Sequence, residues 1–363
     1  MHSHTLGNGG IKMSNFDGMK AAVEAVSGGK NTVILDEVGM PDIVVRLNAL
    51  NSKNLDDTFT DTISPAFVLN GGTKKAVYMS KYQNITMTMD GVTRAYSLPL
   101  KDPRTYVTFD QALAACRAKG EGWGLNPAVL WSMVALWAKK NGTMPRGNNN
   151  YGKDHAYTHE HGTEAMKDGD KIGRTLTGSG PDTWNHNWLP DGICDMNGNI
   201  WEWVAGMRLN NGEIQIIPYA NCMDSSIDMS AGSSDWKAIL EDGTLVEPGT
   251  SGTLKYDYVS GKITLCKTIT TAADAGRETE FQQLATASGI TVPQIIKELT
   301  LMPNGTGYED DYFYMNNSGE RFPIRGGSWA FGAFAGVFYT HLSNPRSNSF
   351  GSVGFRSAFY GEL

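Results

Sequence analysis

The sequence predicts an α+β protein in which two helices flank a mixed β-sheet. Short β-branched and aromatic runs recur between turns, the first of them at 32–35 and 42–47. Two neighbouring segments, 108–120 and 126–142, carry strong signals for helix starts and ends. The 42 glycines among 363 residues suit a fold with many turns between strands. A chain of this length with 40% hydrophobic residues can bury a large core.

Residues 15–27 predict a short amphipathic helix, capped by Asn15 and ended by Gly28 and Gly29. Such a helix can pack on the main domain or against a neighbouring subunit, and packing on the domain is favoured. Its predicted apolar face consists of Phe16, Met19, Val23 and Val26.

The next eighty residues predict strands. The pair Asp90-Gly91 favours a two-residue hairpin turn that leads into Ala95 and Tyr96. The predicted strands before this turn lie at 32–35, 42–47, 65–69, 76–79 and 85–89.

Two helices follow the hairpin. Thr108 and Gln111 have the spacing of a capping box, in which each side chain accepts a hydrogen bond from the main chain of the other residue. Asn126 is the predicted cap of the second helix, with Pro127 in its first turn and Gly142 after its last. The resulting pair of helices would pack beside the sheet.

Residues 143–190 are rich in loop-forming residues and contain His155, His159, Glu160 and His161. A metal site could use these histidines. However, the His-Glu-His sequence places alternate side chains on opposite faces if it is extended, and it lacks the spacing of a helical zinc motif. A solvated loop is therefore favoured, and no metal site is expected.

Composition argues against several classes of protein. The net charge of −7 disfavours non-specific binding to nucleic acid. The four cysteines, which show no CxxC spacing, are expected to be free buried thiols: Cys116, Cys194, Cys222 and Cys266. No apolar run reaches the length of a membrane span, and the first residues contain no apolar signal-peptide core, so neither membrane insertion nor signal-dependent export is expected.

Two segments combine tryptophans with tight glycine turns. In 192–204 the order Asp-Met-Asn-Gly-Asn-Ile-Trp-Glu-Trp predicts a turn followed by a strand that buries Trp201 and Trp203. Glu202 between them could be a catalytic acid, but a hydrogen-bonding role in the core is favoured. The second segment begins with Arg-Gly-Gly-Ser-Trp at 325–329 and ends with Gly-Phe-Arg at 354–356.

Between these ends, aromatic residues alternate with small and hydroxyl residues, and Arg346 is the only charged residue. This composition suits a contact surface, because aromatic side chains supply area at low entropic cost while small polar residues supply adaptable hydrogen bonds. A closing β-ribbon of an ordinary core is the alternative.

Residues 207–321 differ from both segments in composition, being rich in Asp, Ser, Gly and Thr, and we interpret them as an insertion. Strands are predicted within it at 212–217 and 261–265, and helical pieces at 278–286 and 293–299. The acidic run of Glu309, Asp310 and Asp311 lacks the spacing of a calcium loop and is expected to be solvated, although calcium binding is left open.

The two tryptophan segments resemble the DMxGNxWEW and RGGSW…GFR signatures of the formylglycine-generating, sulfatase-modifying family, a branch of the C-type lectin fold. The form RGGSWxxGAxAGVFYxxLxxPRSNSxxxVGFR is more similar still to the variable proteins of diversity-generating retroelements. The resemblance implies a lectin-like domain at 31–363 after an extension at 1–30, with the insertion at 207–321 and a variable region at 326–356. It implies a scaffold role for Trp201, Trp203, Arg325, Gly326, Gly327, Trp329, Gly354, Phe355 and Arg356.

In that family, mutagenic reverse transcription rewrites ligand-binding codons by randomising template adenines while the frame stays fixed. Randomised AAC codons yield every residue type except Lys, Glu, Gln, Met and Trp. The positions that the resemblance implies to be variable all fall within the allowed set: Ala330, Phe331, Phe334, Thr340, His341, Ser343, Asn344, Phe350, Gly351 and Ser352.

The same resemblance helps to decide whether the protein is an enzyme or a ligand-binding protein. Formylglycine-generating enzymes hold copper with two cysteines just beyond RGGS, whereas no cysteine follows Cys266 here. No GxSxG, P-loop or dinucleotide fingerprint occurs either. We therefore expect no enzyme activity and no cofactor.

The resemblance implies a hypervariable receptor-binding protein whose partner is a protein or glycan of a host-cell surface. The absence of an apolar signal sequence favours a phage or prophage tail in the virion over a surface adhesin of a bacterium. A catalytically inactive structural relative of the formylglycine-generating enzymes is the third reading. The sequence leaves the oligomeric state open.

Overall fold

A computed structural model describes residues 16–363, so Asn15, the expected cap of the first helix, lies outside the described residues. Four α-helices occur in this range: α1 (Asp17–Ser27), α2 (Phe109–Arg117), α3 (Ala128–Asn141) and α4 (Gln294–Glu298). No helix among residues 16–363 is long and apolar enough to cross a bilayer.

Most of the regular structure is β-sheet, as the α+β prediction requires. The strands of the first two hundred residues are β1 (Asn31–Leu35), β2 (Pro41–Asn48), β3 (Val68–Leu69), β4 (Gly72–Thr73), β5 (Ala76–Ser80), β6 (Ile85–Met89), β7 (Val92–Tyr96), β8 (Trp123–Leu125), β9 (Lys167–Asp168) and β10 (Lys171–Ile172). The later strands are β11 (Trp201–Trp203), β12 (Met207–Asn210), β13 (Glu213–Ile216), β14 (Lys237–Ile239), β15 (Leu245–Val246), β16 (Lys255–Val259), β17 (Lys262–Cys266), β18 (Arg277–Glu280), β19 (Ala285–Thr286), β20 (Tyr312–Met315), β21 (Glu320–Arg325), β22 (Thr340–Asn344), β23 (Val353–Phe355) and β24 (Ser357–Phe359).

One sheet joins the two ends of the chain. Its strand order is β1-β2-β5-β24-β8, and every pairing in it is antiparallel. The last strand, β24, lies between β5 and β8. The residues just before it are therefore held against the early part of the chain.

The larger sheet contains the segment expected to vary. Its main path runs β18-β20-β22-β21-β12-β13-β16-β17-β19, with β11 paired to both β21 and β23. Strand β22 lies between β20, which is parallel to it, and β21, which is antiparallel. The strands of 207–321 thus extend the sheet that holds β21 and β22.

Helix α1 packs on β1, where Thr32 Oγ1 donates to Glu24 Oε1 at 2.6 Å. Ser27 is the buried residue of this helix, and its Oγ accepts from the Asn31 N–H at 2.9 Å. Of the predicted apolar face, Phe16, Met19 and Val23 are half-buried, whereas Val26 is 87% exposed.

The two central helices agree with their predicted positions but differ in their caps. The capping box of α2 forms, with the Gln111 N–H donating to Thr108 Oγ1 at 3.2 Å and the Thr108 N–H to Gln111 Oε1 at 3.0 Å. The predicted cap by Asn126 is wrong, since Pro127 occupies that position. The main chain of Asn126 bridges strands instead: its N–H donates to the Arg356 carbonyl and its carbonyl accepts from the Ala205 N–H.

Three further predictions concern short elements. The hairpin at Asp90 and Gly91 is confirmed, and both residues have positive φ, 52° and 77°. The strand predicted at 65–69 is wrong for Pro65–Phe67, which forms a 3₁₀ turn, and correct for Val68–Leu69. The strands within 212–217 and 261–265 and the helix within 293–299 are confirmed.

The helix predicted at 278–286 is wrong. This segment contains the end of β18, a 3₁₀ turn at Phe281–Gln283 and the short strand β19. Phe281 and Leu284 have the spacing of neighbours on one helix face, and both are buried in the same core. Pairing of β18 with β20 provides hydrogen-bond partners for the main-chain N–H and carbonyl groups that a helix would otherwise pair internally.

A buried ion pair lies where the C-terminal segment meets the core. Arg356 Nε and Nη2 each donate to one oxygen of Glu202, both at 2.5 Å, and neither side chain reaches solvent. Gln83 Nε2 donates to the same carboxylate at 3.0 Å. Arg356 Nη2 also donates to the Cys194 carbonyl at 3.0 Å. Glu202 therefore organises the core, as favoured from the sequence, and links β11 to the chain between β23 and β24.

We expect Glu202→Gln to lower the free energy of unfolding by about 3–5 kcal/mol, because the guanidinium of Arg356 stays buried without a counter-charge. Denaturant unfolding followed by tryptophan fluorescence measures this. The double variant Glu202→Leu/Arg356→Met removes both charges and should recover most of the loss. A single variant as stable as the parent would contradict this role of the pair.

Candidate ligand-binding surface

The frame around the candidate surface starts with a strained turn at the end of β21. Gly326 and Gly327 have φ values of 92° and 84°, in the left-handed region that favours glycine. A Cβ on Gly326 would lie 2.8 Å from the Met196 carbonyl oxygen, and one on Gly327 would lie 2.5 Å from the Cβ of Ala335. Both positions therefore require glycine, and the turn packs directly on the segment that follows it.

Arg325 holds this segment from the buried side. Its Nη2 donates to Thr300 Oγ1 at 2.8 Å and to the Val337 carbonyl at 3.1 Å, and its Nη1 donates to Thr340 Oγ1. Burial lowers the pKa of Arg325 because the charged form loses hydration. The residue thus fixes the start of β22 and the chain before it.

Asp311 supplies a second anchor. Its Oδ2 accepts from the Phe338 N–H at 2.8 Å, and a Cβ on Gly336 would lie only 1.9 Å from its Oδ1. Desolvation raises the pKa of this buried carboxyl well above its usual range. The prediction of a solvated acidic run is correct for Glu309 and Asp310, which are exposed, and wrong for Asp311.

Two scaffold tryptophans form further anchors. Trp203 is buried and its Nε1 donates to the Val107 carbonyl at 3.0 Å. Trp329 Nε1 donates to Asp168 Oδ2 at 3.0 Å. At the far end of the segment, a Cβ on Gly354 would lie 2.2 Å from the Arg104 carbonyl oxygen, and Phe355 is fully buried.

Trp201 forms the floor of the candidate surface. The rings of Phe331, Tyr339 and His341 meet it edge-on, with centroids at 5.0, 4.5 and 5.4 Å. The main-chain N–H of Trp201 donates to the Ser352 carbonyl at 2.8 Å. Trp201 therefore contacts both halves of the segment expected to vary, the part before β22 and the loop before β23.

His341 is positioned by several neighbours. Its ring stacks on Tyr314 with centroids 4.3 Å apart, and its Nδ1 lies 2.9 Å from Asn344 Nδ2 and 3.3 Å from Ser343 Oγ. Because the amide of Asn344 donates, Nδ1 is an acceptor in this arrangement. Burial lowers the pKa of His341 to about 4, so the ring is neutral near neutral pH.

The ten positions expected to vary differ in how much of each side chain is exposed to solvent. Ala330, Phe334 and Phe350 are exposed, the last two by 46% and 47%. The positions of intermediate exposure are Phe331, His341, Ser343, Gly351 and Ser352.

Thr340 and Asn344 are buried, which argues against a direct contact of either side chain with a ligand. Strand β22 alternates, with Thr340, Leu342 and Asn344 facing the core and His341 and Ser343 facing outward. Arg325 uses Thr340 as an acceptor, which explains why a hydroxyl is retained in the core.

Three tyrosines outside 326–356 also belong to this surface, and the sequence did not identify them. The ring of Tyr312 lies 4.1 Å from that of Phe334, and Tyr314 stacks on His341. Tyr106, which is 66% exposed, donates its N–H to the Phe350 carbonyl at 3.0 Å. The alternation Tyr-Phe-Tyr-Met in β20 is typical of a half-buried strand, but the pairing of β20 with β22 is not readable from the sequence.

A cavity of about 660 Å³ adjoins the surface at Ala333. Its lining includes the charged or polar residues Arg146, Asp154, His155 and Glu309. The guanidinium of Arg146 lies 3.3 Å from the ring centroid of Tyr157, which fixes one wall of the cavity. Residues outside 326–356 thus border the turn that contains Ala333.

The prediction of a solvated loop around the histidines is correct for the three histidines but not for Glu160. His155, His159 and His161 are exposed, as a solvated loop requires. Glu160 is buried and accepts from Thr183 Oγ1 at 2.8 Å, from Trp184 Nε1 at 3.2 Å and from Arg146. Within residues 16–363, no group of three or more His, Cys, Asp or Glu side chains could hold a metal ion.

The four cysteines are free and buried, as expected. Burial raises the pKa of Cys194 and Cys222 to about 12 and that of Cys266 to about 11. The thiolate, which is the metal-binding and nucleophilic form, is therefore disfavoured at these positions.

No protein-family model and no curated protein matches the sequence. Among solved structures, the chain is similar to Treponema denticola variable protein 1, with 13% identity and a TM-score of 0.34 over 91% of this chain and 98% of that one. It is also similar to the P3c and U1 variants of the Major Tropism Determinant, each with 12% identity, at TM-scores of 0.31 and 0.30. These matches cover 87% of this chain but only 62% of either determinant. TM-scores of this size leave family and function to be inferred from the residues of the chain itself.

The exposure of each side chain predicts how much its substitution lowers the free energy of unfolding. We expect Phe334→Ser and Phe350→Ser to change the free energy of unfolding by no more than about 0.5 kcal/mol, since both rings are half in solvent. Thr340→Val keeps the shape but leaves an Arg325 donor unpaired, which should cost about 1–3 kcal/mol. Thermal and denaturant unfolding compare the three. Unfolding of the Phe334 or Phe350 variant would show that these rings belong to the core.

The ring of His341 provides a pH test. Its folded pKa of about 4 lies below the ordinary 6.5, so its contribution to stability is complete above pH 6.5 and is lost as the pH falls towards 4. An NMR titration of the His341 ring protons, assigned with His341→Gln, should give a midpoint near 4. A midpoint near 6.5 would mean that the ring is hydrated and mobile.

Proposed function

We propose that this chain is a hypervariable ligand-binding protein of the diversity-generating retroelement type, with a C-type lectin fold of the formylglycine-generating kind. One observation carries the proposal. Buried groups of Arg325 and Asp311 hold the main chain at Val337 and Phe338, while the side chains of Ala330 and Phe334 are exposed. Side chains of this kind can be exchanged without disturbing the frame.

The composition of the exposed group favours recognition. Phe334 and Phe350 are nearly half exposed, and Phe331, close to Phe334 in the chain, packs edge-on against Trp201. Contiguous exposed apolar patches usually mark an interaction site. A fixed main chain strengthens binding, because less conformational entropy is lost when the ligand is bound.

Oxygen-activating thiol chemistry is not supported. Ala330 and Phe331 stand where the resembled enzymes carry a metal-binding cysteine. The four cysteines of the chain lie elsewhere, buried and with raised pKa values. Binding without chemistry therefore agrees best with these residues.

For the biological setting, we propose attachment to a protein or glycan of a host-cell surface from a phage or prophage tail. Many copies on one particle would turn weak single contacts into strong attachment through effective concentration. Mass spectrometry of purified virions tests this setting. Finding the protein on the outer surface of the bacterium, and not in virions, would favour the alternative of a surface adhesin.

The DNA around the gene gives the most direct test of the retroelement proposal. We expect a near-copy of the 326–356 coding region beside a reverse transcriptase, with adenines at the codons of Ala330, Phe331 and Phe334. Because Thr340 is buried, its codon should be identical in the two copies. A template absent from the locus, or one that diversifies Thr340 as freely as Phe334, would contradict the proposal.

A display library tests binding itself. Codons for the outward positions Ala330, Phe331, Phe334, His341 and Phe350 are randomised, and binders are selected against a small basic protein. We expect folded variants and specific binders. A control library that randomises Thr340, Leu342 and Asn344 should give mostly unfolded chains, since these side chains are buried. Equal numbers of binders from both libraries would contradict the division between surface and frame.

A further inference from the structure

We propose that two strands of the 207–321 segment add a constant, acidic and aromatic wall to the binding surface, and that this wall binds lysine or arginine side chains of a protein partner. The wall consists of Glu278 and Glu280 on β18 and Tyr312 and Tyr314 on β20. This inference rests on the proposed function and specifies the class of partner.

Strand register places these residues on one face. In the antiparallel pair of β18 and β20, Glu278 lies opposite Tyr314 and Glu280 lies opposite Tyr312. In the parallel pair of β20 and β22, Tyr314 lies beside His341. Directly paired residues point to the same side of a sheet, so the row from Glu278 through Tyr314 to His341 is continuous.

The burial pattern confirms the two faces. Thr279, Phe313 and Thr340, which lie between the members of the wall, are all buried. Glu278 is exposed, while Glu280, Tyr312 and Tyr314 are half-buried. The side chains of the wall therefore lie on the same face of the sheet as the outward residues of β22.

Ring contacts attach the wall to the variable side chains. Tyr312 packs on Phe334 with centroids 4.1 Å apart, and Tyr314 stacks on His341 at 4.3 Å with an interplanar angle of 12°. A ligand that touches Phe334 or His341 thus also meets side chains that mutagenesis of 326–356 would never change.

The carboxylates of the wall form no ion pairs within the described part of the chain. None of the ion pairs among residues 16–363 uses Glu278, Glu280 or Asp310. The neighbouring cations are engaged elsewhere, Arg277 over the ring of Tyr258 and Arg321 with Asp274. Burial raises the pKa of Tyr312, and the negative charges of Glu280, Glu278 and Asp310 raise it further.

Carboxylates beside aromatic faces select cations. An ammonium or guanidinium group gains from both the carboxylate charge and the ring quadrupole. The same charge repels anionic glycans and anionic lipid headgroups, and a neutral sugar gains little from it. A protein surface rich in lysine or arginine is therefore the partner that this wall fits, with the variable side chains choosing among such surfaces.

The test compares two display libraries with identical randomisation at the outward positions, one in the parent frame and one carrying Glu278→Gln and Glu280→Gln. Both are selected against lysozyme and against the same protein after succinylation of its lysines. In the parent frame we expect the selected binders to have a Kd for the basic form about tenfold lower than for the succinylated form, which corresponds to ~1.4 kcal/mol. In the glutamine frame the ratio should approach one.

A third library with Glu121→Gln and Glu362→Gln is the matched control, because it changes the net charge equally at exposed residues beside the five-stranded sheet. Its preference should equal that of the parent. If the parent frame shows no preference, or if the preference survives in the glutamine frame, the inference is overturned while the proposed function stands. If no library yields binders to either target, the proposed function fails, and the inference fails with it.

Discussion

The buried pair of Arg356 and Glu202 is the contact on which the arrangement of the candidate surface depends. Two hydrogen bonds of 2.5 Å join a guanidinium to a carboxylate in a region without solvent. A buried charge is tolerated only when its hydrogen-bonding capacity is satisfied. Gln83 and the main-chain carbonyls of Ser80, Cys194 and Asp195 supply further partners. The chain after β23 therefore has one low-energy position relative to β11.

Strand alternation transmits this constraint to the surface. Glu202 points towards Arg356, so its neighbours Trp201 and Trp203 point to the other side of β11. Trp203 is fixed there by its bond to the Val107 carbonyl, and Trp201 forms the floor under Phe331 and His341. One strand of three residues thus joins the ion pair in the core to the aromatic floor of the surface.

The segment above this floor is held mainly through groups that are independent of its outward side chains. Arg325 binds the Val337 carbonyl, Asp311 binds the Phe338 N–H, and Gly336 leaves room for the Asp311 carboxylate. Such contacts do not depend on what stands at Ala330 or Phe334. On the proposed function, this separation would allow a surface to change its chemistry while its shape is preserved, and strands β18 and β20 would add side chains that stay constant beside it.

The sequence by itself determined the features whose causes are local. The hairpin at Asp90 and Gly91, the capping box of α2 and the glycine turn after Arg325 follow from backbone preferences of a few adjacent residues. Tertiary structure decided which neighbours in the chain face outward. Thr340 and His341 are adjacent and both polar, yet pairing of β22 with β20 and β21 buries one and half-exposes the other. Tyr312 and Tyr314 joined the surface for the same reason, because the pairing of strands distant in sequence depends on how the whole sheet packs, which no local pattern records.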